Sequence, residues 1–231
     1  MSAVDYIGAG TTLSSSYFMR NFYVANSNAR TSSNRSEMRN SELSYADSTA
    51  LRRAIRNLGN ANYIEDQDPN IRNSVKAFIN VYNNLLDSAS GSGDYDLERS
   101  AKQLKSLTNE YASQLDKIGI TVKSDGTLEA RDSLFETAKL SKFENLFSKD
   151  SDYMQRATSN AKRVQRYSQA LENNVLNQLV SKPGGNTSGI PGFGEPGDEE
   201  DRTEIAGLVA DALDLDTLVG KGIGKNINIV L

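Results

Sequence analysis

The side chains best spaced for chemistry in this chain are three neighbouring acids, Asp94, Asp96 and Glu98, in the run Asp94-Tyr95-Asp96-Leu97-Glu98. Carboxylates serve as general acids and bases, and alternating acids in a loop are a way to hold Ca²⁺. Here the twelve-residue calcium loop, with its central glycine and closing glutamate, is not completed. The run also falls where a loop meets a helix start, where the helix dipole favours negative charge, so helix-end electrostatics is the reading of the cluster. The sequence has no cysteine, no histidine and no tryptophan. Disulfides, thiolate or imidazole metal sites and Ser-His or Cys-His nucleophile pairs are therefore excluded. Gly8-Ala9-Gly10 and Gly220-Lys221-Gly222-Ile223-Gly224 lack the Gly-Lys-Ser/Thr ending of a phosphate-cradling loop. We expect no catalytic residue, no metal and no cofactor, and read the chain as a non-enzymatic protein without a small-molecule substrate.

Composition narrows the partners. The 231 residues are 37% hydrophobic and 24% charged, with a formal net charge of -4, which argues against nucleic acid. The row Arg52, Arg53 and Arg56 reads as a solvated helix face. No apolar run has the length of a membrane span, and the start, MSAVDYIGAGTTLSSS, has neither the basic cluster nor the apolar segment of a secretory signal. The expectation is a cytosolic protein or one exported by a route that does not read such a signal.

The elements that must position these groups are mostly helical. Residues 1–40, rich in Ser, Asn, Thr and Arg, read as a flexible tail with one aromatic cluster, Tyr17, Phe18, Phe22 and Tyr23. A helix is expected from Ser41, with Leu43, Ala46, Ala50, Leu51, Ala54 and Leu58 on one face and Gly59 as its stop. Asp68-Pro69 reads as a cap and first residue of a second helix carrying Ile71, Val75, Phe78, Tyr82 and Leu85, ended by Ser90-Gly91-Ser92-Gly93. A third helix is expected from Asp96 to Ile118, with Leu97, Ala101, Leu104, Tyr111 and Leu115 on its seam, closed by Gly119. Between 118 and 131, alternating Ile118, Ile120 and Val122, then Leu128 and Ala130, flank Asp125-Gly126, the pattern of a hairpin whose turn uses a glycine at positive φ. Ser133-x-x-Glu136 and Ser141-x-x-Glu144 have capping-box spacing for two short helices. A long fourth helix follows from Asp152, with Ala157, Ala161, Val164, Ser168, Leu171 and Val175 as a partly polar seam, partly exposed or open to a partner helix. The fold class is thus a mainly α antiparallel helical bundle over 41–180 with one small β-hairpin, flanked by flexible segments. Phe78, Tyr82, Leu85, Tyr111, Leu115, Val164 and Leu171 are the candidate seam and interface residues.

Residues 181–201, with Pro183, Pro191 and Pro196 among many glycines and an acidic run from Asp198, read as a linker. The segment 202–231 has Ile205, Leu208, Val209, Leu213 and Leu218 at amphipathic helical spacing. It reads either as a detachable docking tail or as a segment packed back on its own domain. Its acids, Glu204, Asp211, Asp214 and Asp216, argue against an anionic membrane surface.

An ordered series of segments carries a resemblance: Phe78-Ile79-Asn80-Val81-Tyr82-Asn83-Asn84-Leu85-Leu86; then Leu115-Asp116-Lys117-Ile118-Gly119-Ile120; then Asp125-Gly126-Thr127-Leu128; then Phe143 to Phe147, ending in Leu146-Phe147. Over about residues 70–170 the chain resembles the C-terminal region of the bacterial flagellar filament-capping family, the hook-associated filament cap. The resemblance implies a structural protein of the bacterial flagellum, assembling with itself or other flagellar axial proteins. It implies export through the flagellar channel to the cell exterior, and an export chaperone that binds the C-terminal tail. The alternative is a cytosolic adaptor or chaperone-like module that binds a secretion client through residues 203–231.

Overall fold

Four long helices alternate in direction around one core, because each carries an apolar stripe it cannot bury alone. The structure, a computed structural model, describes residues 11–180, with side chains to residue 175. In chain order the helices are α1 (Ser15–Phe22), α2 (Ser32–Arg35), α3 (Asn40–Gly59), α4 (Asp68–Ser90), α5 (Tyr95–Glu110), α6 (Ala112–Asp116), α7 (Asp132–Thr137), α8 (Leu140–Phe147) and α9 (Asp152–Val180). Strands β1 (Ile120–Val122) and β2 (Leu128–Ala130) sit between α6 and α7. Cross-helix hydrogen bonds fix the directions of α3 and α4. Asp47, early in α3, meets Ser88, late in α4 (2.7 Å), whereas Asn57 meets Ser74 (2.8 Å). On α9, Gln165 meets Thr49 and Arg52 while Glu172 meets Ser41. Thr108 of α5 lies 3.3 Å from the Tyr153 hydroxyl of α9, and Gln103 pairs with Arg163. The bundle is therefore antiparallel, as the stripes predict, and the described residues from 11 to 176 belong to one compact unit.

The hairpin forms where alternation and Asp125-Gly126 place it. Its strands pair antiparallel, Ile120 with Ala130, Thr121 with Glu129 and Val122 with Leu128. The Gly126 amide donates to the Lys123 carbonyl (2.9 Å) and the Lys123 amide to the Thr127 carbonyl (2.8 Å). With Gly126 at φ +87°, this is a tight turn followed by a left-handed glycine.

Three expectations are corrected. Residues 11–40 are folded rather than tail: α1 is capped by Ser14 and buries Phe18 and Phe22, with Tyr23 beyond its end also buried. An eight-residue helix is marginal alone, and here its stability comes from the bundle it covers. The Asn70 carbonyl accepts from the Leu13 amide (2.7 Å), and the Asn70 and Asn73 side-chain amides donate to the Thr11 (2.9 Å) and Leu13 (2.8 Å) carbonyls. The helix expected from Asp96 to Ile118 breaks at Tyr111, which leaves α5 and places α6 as a separate turn; α5 begins at Tyr95, capped by Asp94. The other expected caps also shift by a residue or two. Asp68 is the first residue of α4 and pairs with Arg72 one turn on (2.8 Å), while Arg131 and Lys139, not Ser133 and Ser141, precede α7 and α8. Glu136 pairs with Lys76 (2.7 Å) instead of boxing α7.

Gly119 does more than end a helix. It sits at φ +77°, and a Cβ there would come 2.4 Å from the Phe135 nitrogen and 2.8 Å from its Cα. Gly93, at φ +70°, has open space in the same direction. Gly93→Ala should therefore cost only the backbone term, about 1 kcal/mol, and Gly119→Ala about 3 kcal/mol or more. Urea unfolding of the two variants checks this, and equal midpoints would show that α7 does not press on the hairpin's entry.

Candidate functional site

The surface around the hairpin is built on α4. Its first layer is aromatic. Phe78 packs edge-on against Phe147 (5.5 Å between ring centres), Phe143 against Phe135 (5.3 Å), and Tyr153 lies near both Phe147 (6.5 Å) and Tyr111 (5.1 Å). Offset and edge contacts of this kind add about 1 kcal/mol each to the area they bury. Above it, α4 reaches the hairpin through two polar side chains. The Tyr82 hydroxyl donates to the Gly126 carbonyl (3.1 Å). Asn83 works in both directions, donating to the Leu128 carbonyl (2.9 Å) and accepting from the Leu128 amide (2.8 Å). An asparagine thus imitates the strand β2 would otherwise need at that edge. At the tip, Asp125 accepts from the Thr127 hydroxyl (2.6 Å) and amide (2.8 Å). Those two bonds hold its carboxyl below the usual carboxylate range. The outer face carries Thr121, Lys123 and Glu129, the last two paired at 3.2 Å.

The short helices α7 and α8 are fastened by Arg72. Its Nη1 donates to the Phe135 carbonyl and its Nη2 to the Ala138 carbonyl (2.8 Å), while the guanidinium lies over the Phe143 ring (5.2 Å). A second buried knot sits at the other end of α4. Asp47, wholly buried, receives Arg35 through both oxygens (2.7 and 2.9 Å), the Tyr23 hydroxyl (2.6 Å) and the Ser88 hydroxyl (2.7 Å). Asn84 donates to the Tyr23 oxygen (3.0 Å), and Arg35 also donates to the Ala29 carbonyl (2.9 Å). A buried charge is tolerated when every lone pair is met, and Asp47 is met from three elements.

The sequence-predicted residues fall into distinct places. Phe78, Tyr82, Leu85, Leu115 and Val164 are buried in the core of their own bundle, so they are seam but not free interface. Leu171 is half-buried against the same core. Tyr111 is half-exposed, its hydroxyl donating to Asp152 (2.6 Å), a bond that holds the Asp152 carboxyl low. Asp125 and Gly126 form the turn as expected. Asp94 caps α5, accepting from the Asp96 and Leu97 amides at 3.0 Å each. Among the described residues no group of acids is arranged to hold a metal ion. Ile205, Leu208, Val209, Leu213 and Leu218 lie outside the described residues. Residue-by-residue reading missed Asp47 and Arg72, although each interrupts an apolar helical stripe: Asp47 falls at the step between Leu43 and Leu51, and Arg72 adjoins Ile71. A charge on an apolar stripe was the available signal.

Compared with known proteins, the chain matches no family model, no curated protein and no solved structure.

Two outcomes test this arrangement. Asn83→Ala should cost about 1–3 kcal/mol, since it strands a backbone amide and carbonyl, and should speed hydrogen exchange at the Leu128 amide ahead of the core amides of α4; unchanged exchange there would mean β2 holds without the latch. The buried phenols set an alkaline limit. Burial pushes Tyr153 up from 10.0 to about 12, and burial first, then the charge of Asp47, raises Tyr23. Both are neutral in folded and unfolded chains below pH 10. Above it the unfolded chain releases phenolic protons that the folded one retains, so stability falls as pH rises from 10 towards 12. Tyr153→Phe, whose lost hydroxyl meets only Thr108, should make that decline shallower in urea titrations, and an unchanged slope would count against it.

Proposed function

We propose that this chain is a non-enzymatic structural or assembly protein of the bacterial flagellum, resembling the C-terminal region of the filament cap. On this reading it works by helix-mediated self-assembly or by docking on other axial proteins. One observation supports the reading. The segments that carry the resemblance, far apart in sequence, converge on one unit: the Phe78–Leu86 stretch latches the Asp125–Leu128 turn through Tyr82 and Asn83 and stacks on the Phe143–Phe147 helix through Phe78. The parts of the pattern meet within one packed core, and that is what supports the reading. Among the described residues no helix is long and apolar enough to cross a membrane, and the reading needs none.

The experiment is fractionation of the native bacterium with an antibody to the chain. Intact protein in sheared filaments and culture supernatant, lost when the flagellar export apparatus is disabled, is the expected result. Protein confined to the cytoplasm in both strains would overturn it and leave the adaptor reading, with a client held by residues 203–231.

A further inference from the structure

The seam between α3 and α9 carries two adjoining depressions, of about 330 and 500 Å³, bordered by Arg52, Arg56, Lys149, Lys162, Arg163 and Arg166 with neutral polar residues between them. Among the described residues no carboxylate lines either one. Arg56, Lys149, Lys162 and Arg166 are exposed and make no ion pair among the described residues, whereas Arg156, on the same helix α9, pairs with Glu110 (2.7 Å). Ile55 and Met154, both buried, give the first depression an apolar floor. Its rim reaches Asn60, and the chain then runs straight into a loop of opposite character. There Ile64 is 46% exposed, and Glu65 and Asp66 are exposed, again with no ion pair among the described residues. The Tyr63 hydroxyl donates to the Leu58 carbonyl (3.0 Å) and the Gln67 amide to the Ile64 carbonyl (2.9 Å). The loop is thus shaped in advance, and little ordering is lost when it docks.

We propose that this groove receives the Ile64-Glu65-Asp66 loop of a second copy of this chain, in a two-fold symmetric dimer. In that contact Ile64 covers the floor made by Ile55 and Met154, while Glu65 and Asp66 face Arg56, Lys149 and Lys162. Groove and loop are contiguous, since Asn60 borders the one and Ile64 follows four residues on. A two-fold axis therefore lets each copy give its loop and receive the other's at once. Opposite charge steers the encounter, and docking removes an exposed isoleucine from water. A nucleic acid backbone would meet the cations and leave the apolar floor uncovered. The Thr158 and Ser159 hydroxyls donate to carbonyls of their own helix (2.8 and 3.0 Å), so they offer the groove acceptors, which a peptide's N–H groups can use and phosphate oxygens cannot. The inference rests on the self-assembly part of the proposed function and names its surface. It is read on purified protein, so its failure leaves the flagellar location, decided by fractionation, standing.

The test is sedimentation velocity of the full chain over a concentration series. The native chain should pass from monomer to dimer, with a dissociation constant about tenfold weaker at about 0.5 M salt than at about 0.05 M, because the contact is partly ionic. Arg56→Glu with Lys149→Glu reverses the groove, and Glu65→Lys with Asp66→Lys reverses the loop. Each pair should weaken dimerisation by about tenfold or more, since like charges then face each other across the contact, with circular dichroism confirming the fold. An equimolar mixture of the two variants should dimerise to within about threefold of the native chain, because an acidic groove meets a basic loop on one side of the axis and the native pairing is kept on the other. Monomer at every concentration, growth beyond the dimer, or a mixture that associates no better than its components would overturn the proposal. So would a loss confined to the groove pair, which would assign the groove to a different anion.

Discussion

The buried and half-buried polar side chains along α4 find most of their partners on other elements, and those partners orient the helix within the fold. Asn70 and Asn73 take backbone groups before α1, and Arg72 takes two carbonyls at the C-terminal end of α7. Ser74 meets α3, Tyr82 and Asn83 meet the hairpin, and Asn84 and Ser88 meet Tyr23 and Asp47. Apolar burial pulls the helices together without direction. These hydrogen bonds supply the direction, because a donor left unmet in the core costs more than a met one contributes. A helix with such a row of demands tolerates few alternative neighbours.

That constraint explains why so small a hairpin is stable. A two-stranded sheet of three-residue strands is marginal in water. Here one strand edge is satisfied by Asn83, the turn carbonyl by Tyr82, and the entry by a glycine that lets Phe135 approach closely.

Much of this architecture is readable from residue order. The stripes on α3, α4 and α9 are long and regular, and the hairpin is announced by alternation around Asp125-Gly126. Short elements were less legible. The Ser-x-x-Glu pairs near Ser133 and Ser141 match a local rule, but Glu136 finds a stronger partner in Lys76, outside its own helix. The segment containing Phe18, Phe22 and Tyr23 looks like tail because its composition is polar. Its fate depends on Asn70, Asn73 and Asp47, which lie far from it in sequence.

What the sequence alone determined is the set of local periods: which stretches are helical, where the turn glycine falls, and which chemistries are absent for want of cysteine and histidine. Those are properties of nearest neighbours along the chain, fixed by backbone sterics and side-chain spacing. Only the tertiary structure decided that Asp47 is met by Arg35, Tyr23 and Ser88, that Gly119 must lack a side chain, and that six basic residues from three parts of the chain share one groove. Each of these depends on which helix faces which. That choice is made by the joint satisfaction of apolar faces and buried polar groups, a condition no single stretch of residues can express.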